Sequence, residues 1–207
     1  MPKIDFKKEL KHLYNPPAKK FSMVDVPPLN FLMIDGRGDP NTAPAYQEAL
    51  EALYAVSFTL KFMVKQSDAG VDYTVMPLEG LWWTDDMRQF SLDNKDAWQW
   101  TAMIMQPEFV TAELLAAALK QVERKKNPPA LSKIRLEPFH EGLAVQIKYF
   151  GPYADEGPTI AAMHQFIADN GYRLTGKHHE IYLSDPRRTA PERLKTVIRQ
   201  PVHPRED

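Results

Sequence analysis

The sequence predicts an α+β fold assembled from a strand-helix-strand-strand unit that occurs twice. Three observations predict it. Apolar residues fall at helical spacing in 45–65, 111–126 and 158–168, runs rich in aromatic and strand-forming side chains separate these stretches, and both halves set their elements in the same order. With 207 residues, 43% of them hydrophobic, the chain can bury a sizeable core. The expected organisation is a charged lead-in over 1–20 and one domain over 21–207, made of pseudo-repeats of about 21–126 and 127–207.

The lead-in allows one or two helical turns around Phe6, Leu10 and Leu13, closed by Asn15-Pro16-Pro17. Pro27-Pro28 must sit at an edge or a break, because proline cannot donate to a central ladder. Phe31–Ile34 reads as a buried strand, the run 36–40 as a turn, and Asn41 or Thr42 as a cap for a helix whose first turn tolerates Pro44. From Ala45 to Lys65 the stripe Leu50, Leu53, Tyr54, Ser57, Phe58, Lys61 and Phe62 follows helical spacing. Tyr73–Leu78 and Trp98–Met105 read as antiparallel strand neighbours. Thr111–Lys126 is a second helix, with Leu114, Leu115, Ala118, Leu119 and Val122 inward, ended by Asn127-Pro128-Pro129. In the second half Ile134–Phe139 and Leu143–Phe150 are strands, and Gly151-Pro152 turns the chain. Pro158–Ala168 is a helix stopped by Gly171, and His178–Leu183 and Leu194–Val202 close the pattern.

Composition excludes several function classes. The charge is 26 basic against 27 acidic residues, with no concentrated basic stripe, so no nucleic-acid partner is expected. The absence of cysteine excludes disulfides, thiolate zinc sites, iron–sulfur clusters and a cysteine nucleophile. The start, MPKIDFKKELKHLYNPP, is mixed in charge, and no run of about 18 apolar residues occurs, so no membrane association and a cytoplasmic location are expected. No Walker loop, dinucleotide glycine fingerprint, nucleophile elbow or zinc-protease helix is present, and no cofactor is expected.

Two clusters carry potential chemistry. In the strand His178-His179-Glu180-Ile181-Tyr182, alternation puts His178, Glu180 and Tyr182 on one face and His179 on the other. Two ligand types on one strand are too few for a dedicated metal site, and no metal is expected. A carboxylate inside a strand is costly unless paired or working, so Glu180 is either a cross-strand partner of Lys148 or Arg199 or a functional group, and the residues alone leave both open. In Leu78-Glu79-Gly80-Leu81-Trp82-Trp83, adjacent tryptophans on an extended segment cannot face the same core. Tyr54, Phe62, Met103, Tyr149 and Tyr182 belong to an inventory of flat and adaptable side chains large enough to line a pocket as well as to fill a core. A carboxylate in such a pocket selects cationic aromatic compounds.

Three segments, LEGLWW at 78–83, YFGPY at 149–153 and KHHEIYLSDPRRT at 177–189, resemble the stand-alone branch of the GyrI-like small-molecule-binding proteins, which are related to the effector-binding domains of multidrug-sensing transcription regulators. The resemblance runs from Phe21 to Val202. It implies two strand-helix-strand-strand copies whose sheets flank a ligand pocket between the helices, with a glutamate of the closing strand, here Glu180, addressing the ligand. Trp82, Trp83 and Tyr182 map onto aromatic walls, and Glu79, Tyr54, Phe62 and Met103 are further candidates for ligand contact. The chain departs from the regulators in lacking a helix-turn-helix ahead of the domain, so their DNA-binding role does not carry over.

The resemblance implies binding of planar, often cationic, drug-like molecules, with or without hydrolytic detoxification. Some stand-alone relatives open the cyclopropane ring of DNA-alkylating natural products, which makes a cyclopropanoid hydrolase the alternative. There Glu180 would be the base, Tyr182 or Tyr149 a hydroxyl donor and Glu79 the reserve carboxylate. A third reading, an interaction module acting on DNA gyrase, has an exposed Trp82 or Trp83 patch as its only motive. The oligomeric state is open, a homodimer among the options.

Overall fold

The computed structural model describes residues 3–68, 70–87 and 94–205. Their strands are β1 (Lys3–Ile4), β2 (Ser22–Val26), β3 (Leu29–Arg37), β4 (Asp72–Tyr73), β5 (Leu78–Trp83), β6 (Gln99–Gln106), β7 (Arg135–Phe139), β8 (Gly142–Phe150), β9 (Tyr172–Leu174), β10 (His178–Tyr182) and β11 (Lys195–Pro204). The helices are α1 (Phe6–Glu9), α2 (Lys11–Tyr14), α3 (Pro44–Gln66), α4 (Ala112–Lys125) and α5 (Gly157–Asp169). One antiparallel sheet in the order β2-β8-β11-β10-β5-β6-β3-β7, with β9 added beside β11, organises the molecule. The order strand, helix, strand, strand occurs twice, as β3-α3-β5-β6 with β4 inserted and as β8-α5-β10-β11 with β9 inserted. The two segments meet where β5 pairs with β10 at the centre of the sheet.

Register decides what each face carries, because cross-strand partners point the same way. One face bears Trp100, Ala102 and Ile104 of β6, Leu78, Gly80 and Trp82 of β5, His178, Glu180 and Tyr182 of β10, and Thr196 and Ile198 of β11. Helix α3 packs on the β3–β6 end of this face, burying Tyr46, Ala49, Leu53, Val56 and Leu60, and α4 packs against α3. Helix α5 packs at the β8–β11 end, where Met163 and Ile167 meet Val145, Ile147 and Ile198 in a second, smaller core. Each fully buried aliphatic side chain of this kind contributes about 1.5–3 kcal/mol. Between the two helices stand β5 and β10.

The opposite face carries Glu79, Trp83, Met103, His179, Ile181 and Arg199, and α2 closes part of it with the buried Leu13 and Tyr14. The helical turns expected in 1–20 therefore form, and their last residues belong to the core.

Several expectations change. The run Tyr73–Leu78 is not the neighbour of β6. Pro77 cannot donate to a ladder, so pairing begins at Leu78, where Leu78–Trp83 runs against Gln99–Ile104, while Tyr73 pairs in parallel with Ile4. Asn41 and Thr42 do not cap α3; its N-cap is Ala43, and the Asn41 amide donates to Asp39 Oδ1 at 2.7 Å instead. Gly36 and Arg37 extend β3 rather than turning, because a glycine at 36 leaves room for the Trp100 ring across the strand pair. The sheet side of α3 is set by Ala49, Ala52, Val56 and Leu60, whose small or branched side chains allow close approach. The stripe through Phe58 and Phe62 lies to the side, 47% and 52% exposed.

Candidate functional site

The strand period places His178, Glu180 and Tyr182 side by side in the space that α3 and α5 leave between them. Glu180 is held by its own strand: Tyr182 OH donates to Oε2 at 2.8 Å, and His178 Nε2, 3.1 Å from Oε1, carries a proton toward it. Burial by itself would raise the carboxyl's pKa, but His178 followed by Tyr182 outweighs it, so Glu180 titrates below the usual carboxylate range and is ionised at neutral pH. Its side chain is largely buried, with 12% exposure.

The neighbouring strand supplies the wall. Gly80 is the cross-strand partner of Glu180. A Cβ at Gly80 would lie 2.7 Å from the Trp82 indole nitrogen, so only glycine lets that ring fold back along β5. The Trp82 indole N–H donates to Tyr182 OH at 3.1 Å, completing a chain from indole through phenol to carboxylate. Tyr46 of α3 stands over Trp82 and edge-on to Trp100, with ring centroids 5.6 and 5.0 Å away. From the α5 side, Tyr153 meets Tyr182 edge-on at 5.4 Å. Burial, then the charges of Glu156 and Glu180, pushes the Tyr153 phenol up to about 12, and burial with Glu180 raises Tyr182 well above its ordinary value. All these phenols are neutral donors at physiological pH. Tyr54 stacks on Phe58 at 6.4 Å and is close enough to Asp185 and Arg187 to feel their charges.

Two groups complete the floor. Glu156, immediately ahead of α5, is 1% exposed, and burial followed by the charge of Glu180 raises its carboxyl to about 9. His164 of α5 is half-buried, with Nε2 unpartnered among the described residues, and burial followed by His178 lowers its pKa.

The other sequence candidates are not gathered here. Glu79 and Met103 are cross-strand partners on the opposite face and fully buried. Glu79 accepts from Tyr14 OH at 2.7 Å and faces His179 Nε2 at 2.9 Å. The same imidazole reaches Glu141 at 2.9 Å, and Arg199 donates to Glu141, Gln146 and the Leu13 carbonyl. Burial would raise Glu141, but His179 and Arg199 hold it at about 2; burial would lower His179, but Glu141 and Glu79 hold it at about 9. This network pins α2 to the sheet, and Arg199 is thereby committed to Glu141 rather than to Glu180. Lys148, the other suggested partner of Glu180, donates to Asn15. Trp83 also lies on the opposite face, under the Lys177 ammonium at 3.3 Å from its ring centroid. Tyr149 OH donates to the Pro152 carbonyl at 3.2 Å, and Phe62 stands on the outer part of α3 beside Lys61. Among the described residues, no group of three or more His, Asp or Glu side chains is arranged to hold a metal ion.

Glu156 and Tyr153 were missed as site residues. Tyr153 sits in the YFGPY segment, but Glu156 precedes Gly157-Pro158 and reads as an ordinary acidic residue at a helix start.

A GyrI-like small molecule binding domain model matches residues 19–203. The chain belongs to that family. Among solved structures it is similar to an uncharacterised conserved protein from Listeria innocua, at 46% identity and a TM-score of 0.89, covering 97% of this chain and all of the other. A hydrolase from Listeria innocua is 44% identical, with a TM-score of 0.84 over 97% of this chain and all of the other. The C-terminal domain of EcmrR, at 12% identity and a TM-score of 0.56 over 90% of this chain and 98% of that one, shares the fold. No curated protein matches the chain. No helix among the described residues is long and apolar enough to cross a membrane.

Proposed function

We propose that the cleft between α3 and α5 binds planar, often cationic, aromatic molecules and hydrolyses an electrophilic subset of them, with the strained ring of a cyclopropanoid as the reacting group. The observation that carries this reading is Glu180: an ionised carboxylate, held by Tyr182 and His178 among Trp82, Tyr46 and Tyr153, and still 12% exposed. The aromatic enclosure suits a flat ligand, and the negative charge at its floor suits a cationic one. The small-molecule-binding family supports the first half, and a hydrolase at 44% identity supports the second.

In the hydrolytic step Glu180 accepts a proton from a water molecule as the water oxygen attacks a cyclopropane carbon. The carbon–carbon bond to the conjugated ring system breaks, and its electron pair moves onto the conjugated carbonyl oxygen, which then takes a proton. The sum is addition of one water. Tyr182, whose one hydroxyl proton is given to Glu180 Oε2, orients the base and would have to leave it to donate where negative charge develops. Tyr149, likewise bound to the Pro152 carbonyl, is the other candidate for that donation.

The test is turnover of a cyclopropanoid by wild type and by Glu180→Gln, followed by ultraviolet absorbance. The expected result is a loss of kcat of about 100-fold or more, the usual scale for a general base, with little change in affinity for a neutral substrate. Equal turnover by the two proteins would remove Glu180 from the chemistry. Binding without turnover in either would leave a binding protein.

A further inference from the structure

The segment Tyr153–Asp155 leads into α5 and brings a second carboxyl, Glu156, beside Glu180. Glu156 occupies the N-cap position of α5, and its side chain makes no capping bond to the helix's free N–H groups. It is 1% exposed, and Oε1 has no hydrogen-bond partner among the described residues. No lysine or arginine within ion-pairing distance compensates it among the described residues; Lys95 acts on it as an opposing charge, Thr196 of β11 is a hydrogen-bonding neighbour, Glu180 lies against it, and Tyr149, Tyr153 and Tyr182 are near enough to feel its charge. A buried carboxyl next to an ionised one cannot also ionise cheaply.

We propose that Glu156 and Glu180 form a proton-sharing carboxyl pair at the floor of the cleft, in which Glu156 holds the proton and acts as the acid of the reaction while Glu180 acts as its base. The catalytic half of this proposal rests on the hydrolase reading of the same site; the shared proton does not. The pair gives a closed proton cycle. Glu180 takes a proton from the attacking water, Glu156 gives its proton to the carbonyl oxygen that received the electron pair of the broken carbon–carbon bond, and the proton on Glu180 then passes to Glu156 across their contact. Both groups return to their starting states with no proton drawn from bulk solvent, which suits a cleft walled by aromatic rings. The elevated titration of Glu156, to about 9, agrees with this assignment.

Two measurements test it. The infrared spectrum of the ligand-free protein at neutral pH should carry a carboxylic-acid carbonyl band that is absent from Glu156→Gln and that fades in wild type as pH rises through about 9. A spectrum without that band, or one in which it survives the substitution, would overturn the shared proton whatever the protein does with ligands. In turnover, Glu156→Gln, which can donate a hydrogen bond but cannot release a proton, should retain affinity, lose about 100-fold in kcat and lack the alkaline fall of the pH profile expected of wild type. Unchanged kcat and an unchanged alkaline limb would overturn the acid role. A band present in a wild-type protein that turns nothing over would overturn the acid role together with the hydrolase reading and leave the proton pair standing.

Discussion

Replacing Arg199 by methionine removes one charge from the buried network that fixes α2 to the sheet, and its cost can be worked from the geometry. Arg199 is 2% exposed and donates to Glu141 at 3.0 Å, to Gln146 at 3.1 and 3.0 Å and to the Leu13 carbonyl at 2.7 Å. Glu141 stands at about 2 against an ordinary 4.5 because His179 and Arg199 together outweigh its burial. That difference corresponds to ~3 kcal/mol of stabilisation at neutral pH, of which roughly half leaves with the guanidinium. The stranded Leu13 carbonyl and Gln146 amide add ~1–3 kcal/mol. The sum, ~3–5 kcal/mol, matches the usual cost of removing one partner from a buried ion pair and is a large share of a domain's ~5–15 kcal/mol. Urea denaturation followed by tryptophan fluorescence measures it. The sign of the pH dependence is fixed. Glu141, depressed in the fold, contributes stability above 4.5 that is lost as pH falls through about 2, so the penalty of the substitution should shrink over that interval. His179, raised in the fold, contributes below 6.5 and loses its contribution as pH rises through about 9, so wild type should weaken there. A penalty under ~1 kcal/mol at pH 7, or one that does not change between pH 5 and 2, would refute the reasoning.

Gly36→Ala places a Cβ 2.1 Å from the Trp100 ring, and the forced displacement should cost ~1–3 kcal/mol and alter the near-ultraviolet circular dichroism of the tryptophans; an unaltered spectrum with unaltered stability contradicts the packing described. Glu156→Gln should raise stability at pH 7 by ~1–3 kcal/mol and leave it unchanged at pH 4. Below 4.5 both folded and unfolded wild type are protonated at this position, and between 4.5 and about 9 only the unfolded chain ionises. Urea midpoints at the two pH values decide it, and a variant less stable than wild type at pH 7 would show that Glu156 is ionised and paired in the fold.

Most of the architecture was legible because periodicity survives in the sequence wherever a face is buried. The alternation in His178–Tyr182 already placed Glu180 with His178 and Tyr182 and set His179 apart, and the geometry of β10 follows it. The sequence marks Leu78–Trp83 only as an extended segment and sets the strand at Tyr73–Leu78, whereas the ladder starts at Leu78; Glu79 is there to meet His179, and Gly80 to make room for Trp82. The face of α3 was displaced because Ala49 and Ala52, not the larger Phe58 and Phe62, touch the sheet. Sorting Trp82 from Trp83 and Glu180 from Glu79 requires knowing which side α2 covers, which depends on tertiary contacts such as Tyr14 to Glu79 that no local pattern carries. Glu156 was invisible for a related reason: a glutamate before a helix reads as an ordinary acidic residue, and only the tertiary structure buries it beside Glu180.

The central claim is that ligands enter the cleft over Glu180, and the tryptophans report on it directly, since Trp82 lines the cleft and Trp98 lies 5.4 Å from its ring. Titrating a rhodamine-type cation into wild type and Glu180→Gln while following tryptophan emission should give saturable quenching in wild type and affinity weaker by about tenfold or more in the variant, the scale of a lost charge-assisted contact. Identical titrations of the two proteins would contradict the claim and return Trp82 and Tyr182 to the core.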